Sequence, residues 1–180
     1  MAIDPAVTGM LASALAVMLV VSATQKWRDV PGFHGALDRY GLLPSGLLRP
    51  TAWTLPAVEA GAGVALVIEQ TRVPGAMLGL GVLTVVTGAV VINLLRGRFD
   101  LGCGCGGLED EQPLSWGLVL RNVVLALLLG VTLVATTARV LTWIDYLTVV
   151  VGGGALYGLY VVANQLLANQ PRLLRLRYSA

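Results

Sequence analysis

An all-α, polytopic membrane bundle of about five transmembrane helices is the fold class this sequence predicts, and three observations predict it. The 180 residues are 56% hydrophobic and 12% charged, with a mean hydropathy of +0.78, whereas soluble domains are roughly half apolar and a quarter charged. The apolar residues gather into runs long enough to cross a bilayer as helices, which satisfy their own backbone hydrogen bonds in lipid. The runs are separated by short segments rich in Pro, Gly and charge. No repeat or second domain is visible, so residues 1–180 form a single integral membrane domain.

Residues 7–26 form the first span. The stretch before it lacks the positive residues of a secretory leader, so the span is read as retained, with Trp27 at the headgroup level. Pro31-Gly32 breaks this helix. Phe33, Leu37 and Tyr40 then recur at helical spacing among His34, Asp38 and Arg39, which predicts a short interfacial helix, ended by Gly41 and Pro44. Pro50 opens the second span, 51–69, since proline is tolerated in a first helical turn. Glu59 lies near its middle. A tight turn at Arg72 to Pro74 leads to the third span, 74–95, with Asn93 near its end. Ser115 is the N-cap of the fourth, 116–137, which carries Arg121 and Asn122. The fifth, 143–167, contains Gly152-Gly153-Gly154, small residues that let membrane helices approach closely. Residues 168–180, with Arg172, Arg175 and Arg177, form a basic tail.

Five crossings put the loops alternately on two faces. Lys26, Arg28, Arg39, Arg49, Arg96, Arg98, Arg121, Arg172, Arg175 and Arg177 fall on one face, Arg72 and Arg139 on the other. By the positive-inside rule the N-terminus is outside and the tail cytoplasmic. One lysine against eleven arginines suggests a GC-rich bacterial genome, hence a bacterial inner membrane. The lipid bilayer is the first partner, the basic tail favours anionic lipid, and no nucleic-acid partner is expected.

Both cysteines lie in the hydrophilic stretch Arg96-Gly-Arg-Phe-Asp-Leu-Gly-Cys-Gly-Cys-Gly-Gly107, between the third and fourth spans. Two cysteines with one residue between them cannot form a multi-bridge framework. A Cys103–Cys105 disulfide closes a small, strained ring, and strain makes such a bond easier to reduce, which suits an electron-accepting pair. The surrounding glycines admit unusual backbone angles and a close partner. Arg96, Arg98 and Arg121 would lower a thiol pKa if they face it. Cys105, nearer the N-terminus of the fourth helix, is the better placed attacking thiolate. The bland alternative is two small hydrophobes in a flexible loop, and a dinucleotide fingerprint is excluded because no strand precedes the glycines.

Glu59 is the second candidate. A carboxyl within a span is costly and either lines a polar path, here as a proton relay to the thiols, or bonds to a neighbouring helix. Asn93 and Asn122 read mainly as structural hydrogen-bonding groups, His34 as an interfacial polar residue, and Glu109 to Glu111 as a solvated acidic turn.

With these residues in view, the chain resembles the MauE family within the wider MauE/DoxX-like group. The resemblance runs from Lys26 to Asn122: Lys26 and Phe33, Tyr40 before Leu42-Leu43-Pro44, Pro56 and Glu59, Asn93, Arg96-Gly97, Cys103-Gly-Cys105 with Gly107, Ser115, and Arg121-Asn122. It implies a four-helix core with the fifth span as a C-terminal addition. It also implies thiol–disulfide chemistry through Cys103 and Cys105, with a thioredoxin-like partner, in the maturation of disulfide-rich proteins outside the cytoplasm. Charge counting puts the cysteine loop at the cytoplasmic face, so the two indications point to opposite sides.

The leading reading is therefore a membrane thiol–disulfide electron carrier or maturation factor, with Cys103, Cys105, Glu59 and Arg121 as site residues and no resident cofactor beyond a quinone that could take electrons. A second is capture of a soft metal, Cu or Zn, by the thiolates of Cys103 and Cys105. A third is a structural subunit of a larger membrane complex.

Overall fold

The computed structural model describes residues 3–102, 113–137 and 139–178, with side chains as far as residue 169. Within them the chain is all helical: α1 Pro5–Arg28, α2 Val30–Tyr40, α3 Ser45–Val67, a 3-10 turn Glu69–Thr71, α4 Arg72–Leu95, α5 Trp116–Val131 and α6 Trp143–Tyr178. Two isolated β-bridges are the only extended pairings among the described residues.

Residues 63 and 59 of α3 lie against residues 16–20 and 22–26 of α1, so these two helices run antiparallel. Thr87 meets Asn122 and Gly79 meets Leu129, which makes α4 and α5 antiparallel as well. α6 runs antiparallel to α5, with Gly117 near Leu167, and parallel to α1, with Gly9 near Val149 and Gly153 near Ser13. One apolar cluster joins four helices through Leu15 and Leu19 of α1, Leu66 of α3, Leu83 of α4, and Leu125 and Leu129 of α5.

Among the described residues three segments are long and apolar enough to cross a membrane: Pro5–Arg28, Glu69–Leu95 and Trp143–Asn169. α5 is apolar but has 16 residues, about 24 Å of helix against a hydrocarbon layer of about 30 Å. α3 has 23 residues but carries Glu59, Pro50 and Pro56, which dilute its apolar character.

Several boundaries differ from the sequence reading, each for a local reason. The break after α1 falls at Asp29, whose carboxylate accepts the Gly32 N–H at 2.9 Å. Pro31 sits in the first turn of α2, where its missing N–H costs nothing. α3 begins at Ser45 rather than at residue 51, with Pro44 as its N-cap and Pro50 inside it. Leu48, 4% exposed, packs those added turns against the protein. α5 stops at Val131, short of residue 137. There the Thr132 hydroxyl bonds the Leu129 carbonyl at 2.7 Å, and the chain leaves the helix to pair with Ile3, which donates to Ala135 O and accepts from Thr137 N, both at 3.0 Å. α6 continues past residue 167 through Tyr178, so the segment read as a tail is helical to that point.

Of the three successive glycines in α6, Gly152 and Gly153 are the ones that approach α1 closely. A Cβ on either would overlap the side chain of Met10 or Ser13 of α1. The Ser13 hydroxyl lies 3.3 Å from the Val149 carbonyl across this seam. The close approach that small residues permit is realised here.

At the end of the bundle where α1 begins, Arg139 clamps the N-terminus to the start of α6. Its guanidinium donates twice to Asp4, at 3.0 Å each, and to both carboxylate oxygens of Asp145, at 2.7 and 2.9 Å. The hydrogen bond from Arg139, helped by the Ala6 N–H, holds the Asp4 carboxyl below its ordinary value of 3.8. A depressed carboxyl contributes stability that is present above its unfolded pKa and lost as the pH falls through the folded one. The thermal midpoint of the purified protein should therefore drop on acidification from about pH 5 to about pH 3. Arg139→Gln should flatten that part of the profile. An unchanged slope in the variant would show that the clasp contributes nothing to it.

Candidate functional site

Cys103 and Cys105 lie outside the described residues, as do Glu109 to Glu111. The base on which their segment stands is described, and it is built from α2, α4 and α5. α4 ends with the Arg96 N–H on Ile92 O at 3.1 Å and the Gly97 N–H on Leu94 O at 3.0 Å. Gly97 has φ +74°, a left-handed turn that a side chain would strain. The chain then runs to Leu101, whose carbonyl accepts the Leu114 N–H at 3.0 Å, beside an antiparallel bridge between Gly102 and Pro113. The two ends of the cysteine segment are thus hydrogen-bonded to each other. Leu101 and Leu114 are 6% and 2% exposed and pack with Tyr40, Val90, Leu94 and Leu118. Burial pushes the Tyr40 phenol up to about 12, so it stays neutral over the working pH range.

The arginines named as possible neighbours of the thiols have distinct surroundings. Arg98 donates to Arg39 O at 2.6 Å, Tyr40 O at 3.3 Å and Asn93 Oδ1 at 3.2 Å. It therefore caps the C-terminus of α2, where the helix dipole favours a cation. Asn93, fully buried, also donates to Ala89 O at 3.0 Å, in line with a structural role. Arg96 is exposed at the end of α4. Arg121 is half-buried and bonds neutral oxygens: Nε and one terminal nitrogen to Asn122 Oδ1 at 3.2 Å each, the other terminal nitrogen to Asn164 Oδ1. Its guanidinium lies 6.0 Å from the Tyr160 ring centroid, and Asn122 in turn donates to Thr87 Oγ1 at 3.1 Å. Arg121 stands seven residues beyond Leu114 in the chain, at the cysteine-segment end of α5.

Glu59 is brought together with Lys26 and Ser22 of α1. The Lys26 ammonium donates to Glu59 Oε1 and Oε2 at 2.9 and 2.8 Å and to Ser22 Oγ at 2.6 Å. The Ser22 hydroxyl donates to Glu59 Oε2 at 3.3 Å. Both charged side chains are about 95% buried, at 6% and 5% exposure, and the Phe33 ring lies 5.7 Å from the ammonium. An ammonium has three N–H donors, and these acceptors match them. Sequence reasoning placed Lys26 at the end of a span and gave it no role. The available signal was that the single lysine of the chain falls at the boundary of one span while a lone carboxyl sits inside the next. His34 stands half-buried on α2.

Asn164 and Tyr160 were also missed, because a lone amide and a tyrosine within an apolar run carry no directional information until the facing helix is known. Among the described residues no group of three or more His, Cys, Asp or Glu could hold a metal ion.

The family model described as methylamine utilisation protein MauE matches residues 4–136. This chain belongs to the MauE family. It is 41% identical over 126 residues to the methylamine utilization protein MauE of Paracoccus denitrificans, covering 70% of this chain and 68% of the relative. It is 33% identical over 164 residues to that of Paracoccus versutus, covering 91% and 88%. It is 38% identical over 124 residues to that of Methylorubrum extorquens, covering 69% and 67%. No solved structure matches. The MauE match takes in α1 to α5 and stops before α6, which fits the implied four-helix core with an added C-terminal helix. The chain is thus a MauE-family membrane protein.

The buried pair generates a stability prediction. Removing one partner of a buried ion pair leaves an uncompensated charge and costs about 3–5 kcal/mol, whereas replacing both with apolar groups costs far less. Lys26→Met and Glu59→Leu should each lower the denaturant midpoint strongly, and the double variant should recover most of the loss. Additive losses in the double variant would mean that the two side chains act separately.

Proposed function

We propose that this MauE-family protein is a membrane thiol–disulfide electron carrier serving the maturation of proteins used in methylamine utilisation. Cys103 and Cys105 form its redox pair, and its partner is a thioredoxin-like protein. One observation carries the reading: the only two cysteines stand one residue apart in a segment whose ends, Leu101 and Leu114, are pinned together on the bundle by a hydrogen bond. A pinned base favours a defined presentation of the pair to another protein over a loose linker.

The exchange balances without a cofactor. A thiolate of the pair attacks one sulfur of the partner's disulfide, forming a mixed disulfide and releasing the partner's other sulfur as a thiolate. The second thiolate of the pair then attacks the mixed disulfide. The Cys103–Cys105 bond forms, and two electrons leave with the partner dithiol, which takes up two protons. The same steps in reverse oxidise the partner. Cys105 is the attacking sulfur in this scheme, being nearer the N-terminus of α5.

Arg121 supplies a positive charge at this end of the bundle. Its described partners are amide oxygens and an aromatic ring, so no described carboxylate cancels that charge. A nearby cation lowers a thiol pKa and raises the thiolate fraction. Composition suggests a bacterial inner membrane, and the charge count puts the N-terminus outside and the C-terminus in the cytoplasm. The basic end of α6 then meets the anionic cytoplasmic leaflet.

Two variants test the reading. With Cys103→Ser, Cys105 should be able to hold a thioredoxin-like partner as a stable mixed disulfide, visible as a reducible adduct on a non-reducing gel. Arg121→Gln should shift the alkylation-rate profile of the thiols upward by about one pH unit. Loss of neither partner exchange nor methylamine-dependent growth in the double Cys→Ser variant would sink the proposal.

A further inference from the structure

We propose that α2 is a strap, with Arg98 as its fastening, whose release unseats both ends of the cysteine segment, so that α2 and that base open together as one unit. The device is independent of what the thiols do. Arg98 is itself held to α4, by its N–H on Asn93 O at 3.0 Å and its guanidinium on Asn93 Oδ1 at 3.2 Å. From there the guanidinium reaches α2, donating to Arg39 O at 2.6 Å and Tyr40 O at 3.3 Å. Carbonyls in the last turn of a helix have no partner within it, and α2 ends directly after these two, at Gly41 with φ +61°. The end of α2 is thus hydrogen-bonded to the chain that leaves α4.

The same end of α2 also closes the base by packing. Tyr40, 8% exposed, lies in one cluster with Leu101 and Leu114, the residues whose backbone bond joins the two ends of the segment. Lifting α2 therefore removes the acceptors of Arg98 and uncovers Leu101 and Leu114 in one movement. It cannot lift in halves. α2 has 11 residues, and isolated helices shorter than about 12–15 residues are marginal in water, so it keeps its shape only while docked. Its buried residues, Phe33, Ala36 and Tyr40, fall along a single face. Phe33 rests over the Lys26 ammonium at one end, and Tyr40 rests on the base at the other. Partial detachment would leave turns of unsupported helix, so docking is all or none and the base shares its opening equilibrium. Whatever lifts α2 off the bundle loosens the seat of the segment.

The test is native-state hydrogen exchange of the full-length protein in lipid nanodiscs, read at single amides. Asp29 caps α2 from the end opposite to Arg98, about 16 Å of helix away, and its carboxylate accepts the Gly32 N–H at the exposed surface. Asp29→Ala should speed exchange at the Tyr40 amide of α2 and at the Leu114 amide by the same factor, about fivefold. Arg98→Gln should speed both by about tenfold, again in step. The amides of Leu19 and Leu66, in the main apolar cluster of α1 and α3, should keep their wild-type rates in each variant. Where Arg98→Gln is not monodisperse, Arg98→Lys takes its place, since an ammonium lacks the fork that spans two carbonyls. A wild-type rate at Leu114 beside faster exchange in α2, in either variant, would overturn the inference. So would equal acceleration at Leu19 and Leu66, because the opening would then be global. Unchanged rates at both Tyr40 and Leu114 in the Arg98 variant would show that the fastening holds nothing.

Discussion

A helix bundle in lipid cannot rely on water expulsion between helices, so specific polar ties must choose which helix meets which. The Lys26–Glu59 pair is such a tie. It joins α1 to α3 at the level where α2 turns away, and its ammonium hydrogens are matched by Glu59 and Ser22. The aliphatic faces of α1 and α3 would slide past one another at little cost, whereas a charge separated from its partner in this interior would be prohibitive. The position of α2, whose Phe33 lies over the ammonium, follows from the same contact.

From that anchored pair the structure builds toward the end where the cysteine segment attaches. Arg98 uses carbonyls of α2 as its seat, so the chain leaving α4 is fastened to the interfacial helix before it reaches Leu101. Leu101, Leu114 and Leu118 then close the base with apolar burial. The polar chain from Thr87 through Asn122 and Arg121 to Asn164 ties α4, α5 and α6 together one turn deeper. Arginines that look equivalent in the sequence have separate duties: Arg98 caps a helix, and Arg121 ties α5 to α6 through the amide oxygens of Asn122 and Asn164.

The helical membrane architecture was legible because an apolar run of twenty residues has few alternatives in lipid, and the helix-breaking residues between runs are chemically conspicuous. The interfacial helix was legible from the spacing of Phe33, Leu37 and Tyr40. Boundaries were less so. Pro50 is equally acceptable in a first turn and, with local adjustment, in an interior, and only the burial of Leu48 decides between them. The end of α5 depends on a strand-like pairing with Ile3, more than 130 residues away in the chain, which no local pattern reveals. In the candidate site, the residue types were visible but not their pairing. Glu59 was conspicuous as a lone charge, yet its partner Lys26 looked like an ordinary interfacial lysine. Asn164 was invisible until α6 was set against α5.

The parallel seam between α1 and α6 bears on how the chain is made. Ser13 and Val149 touch although 136 residues separate them. As the protein is synthesised, the first helix enters the membrane long before its glycine-lined neighbour exists, and it spends that interval with one flank covered only by lipid. Because α6 is made after α1, this seam closes only once α6 has entered the membrane, and α1 acquires its full lateral packing at that point.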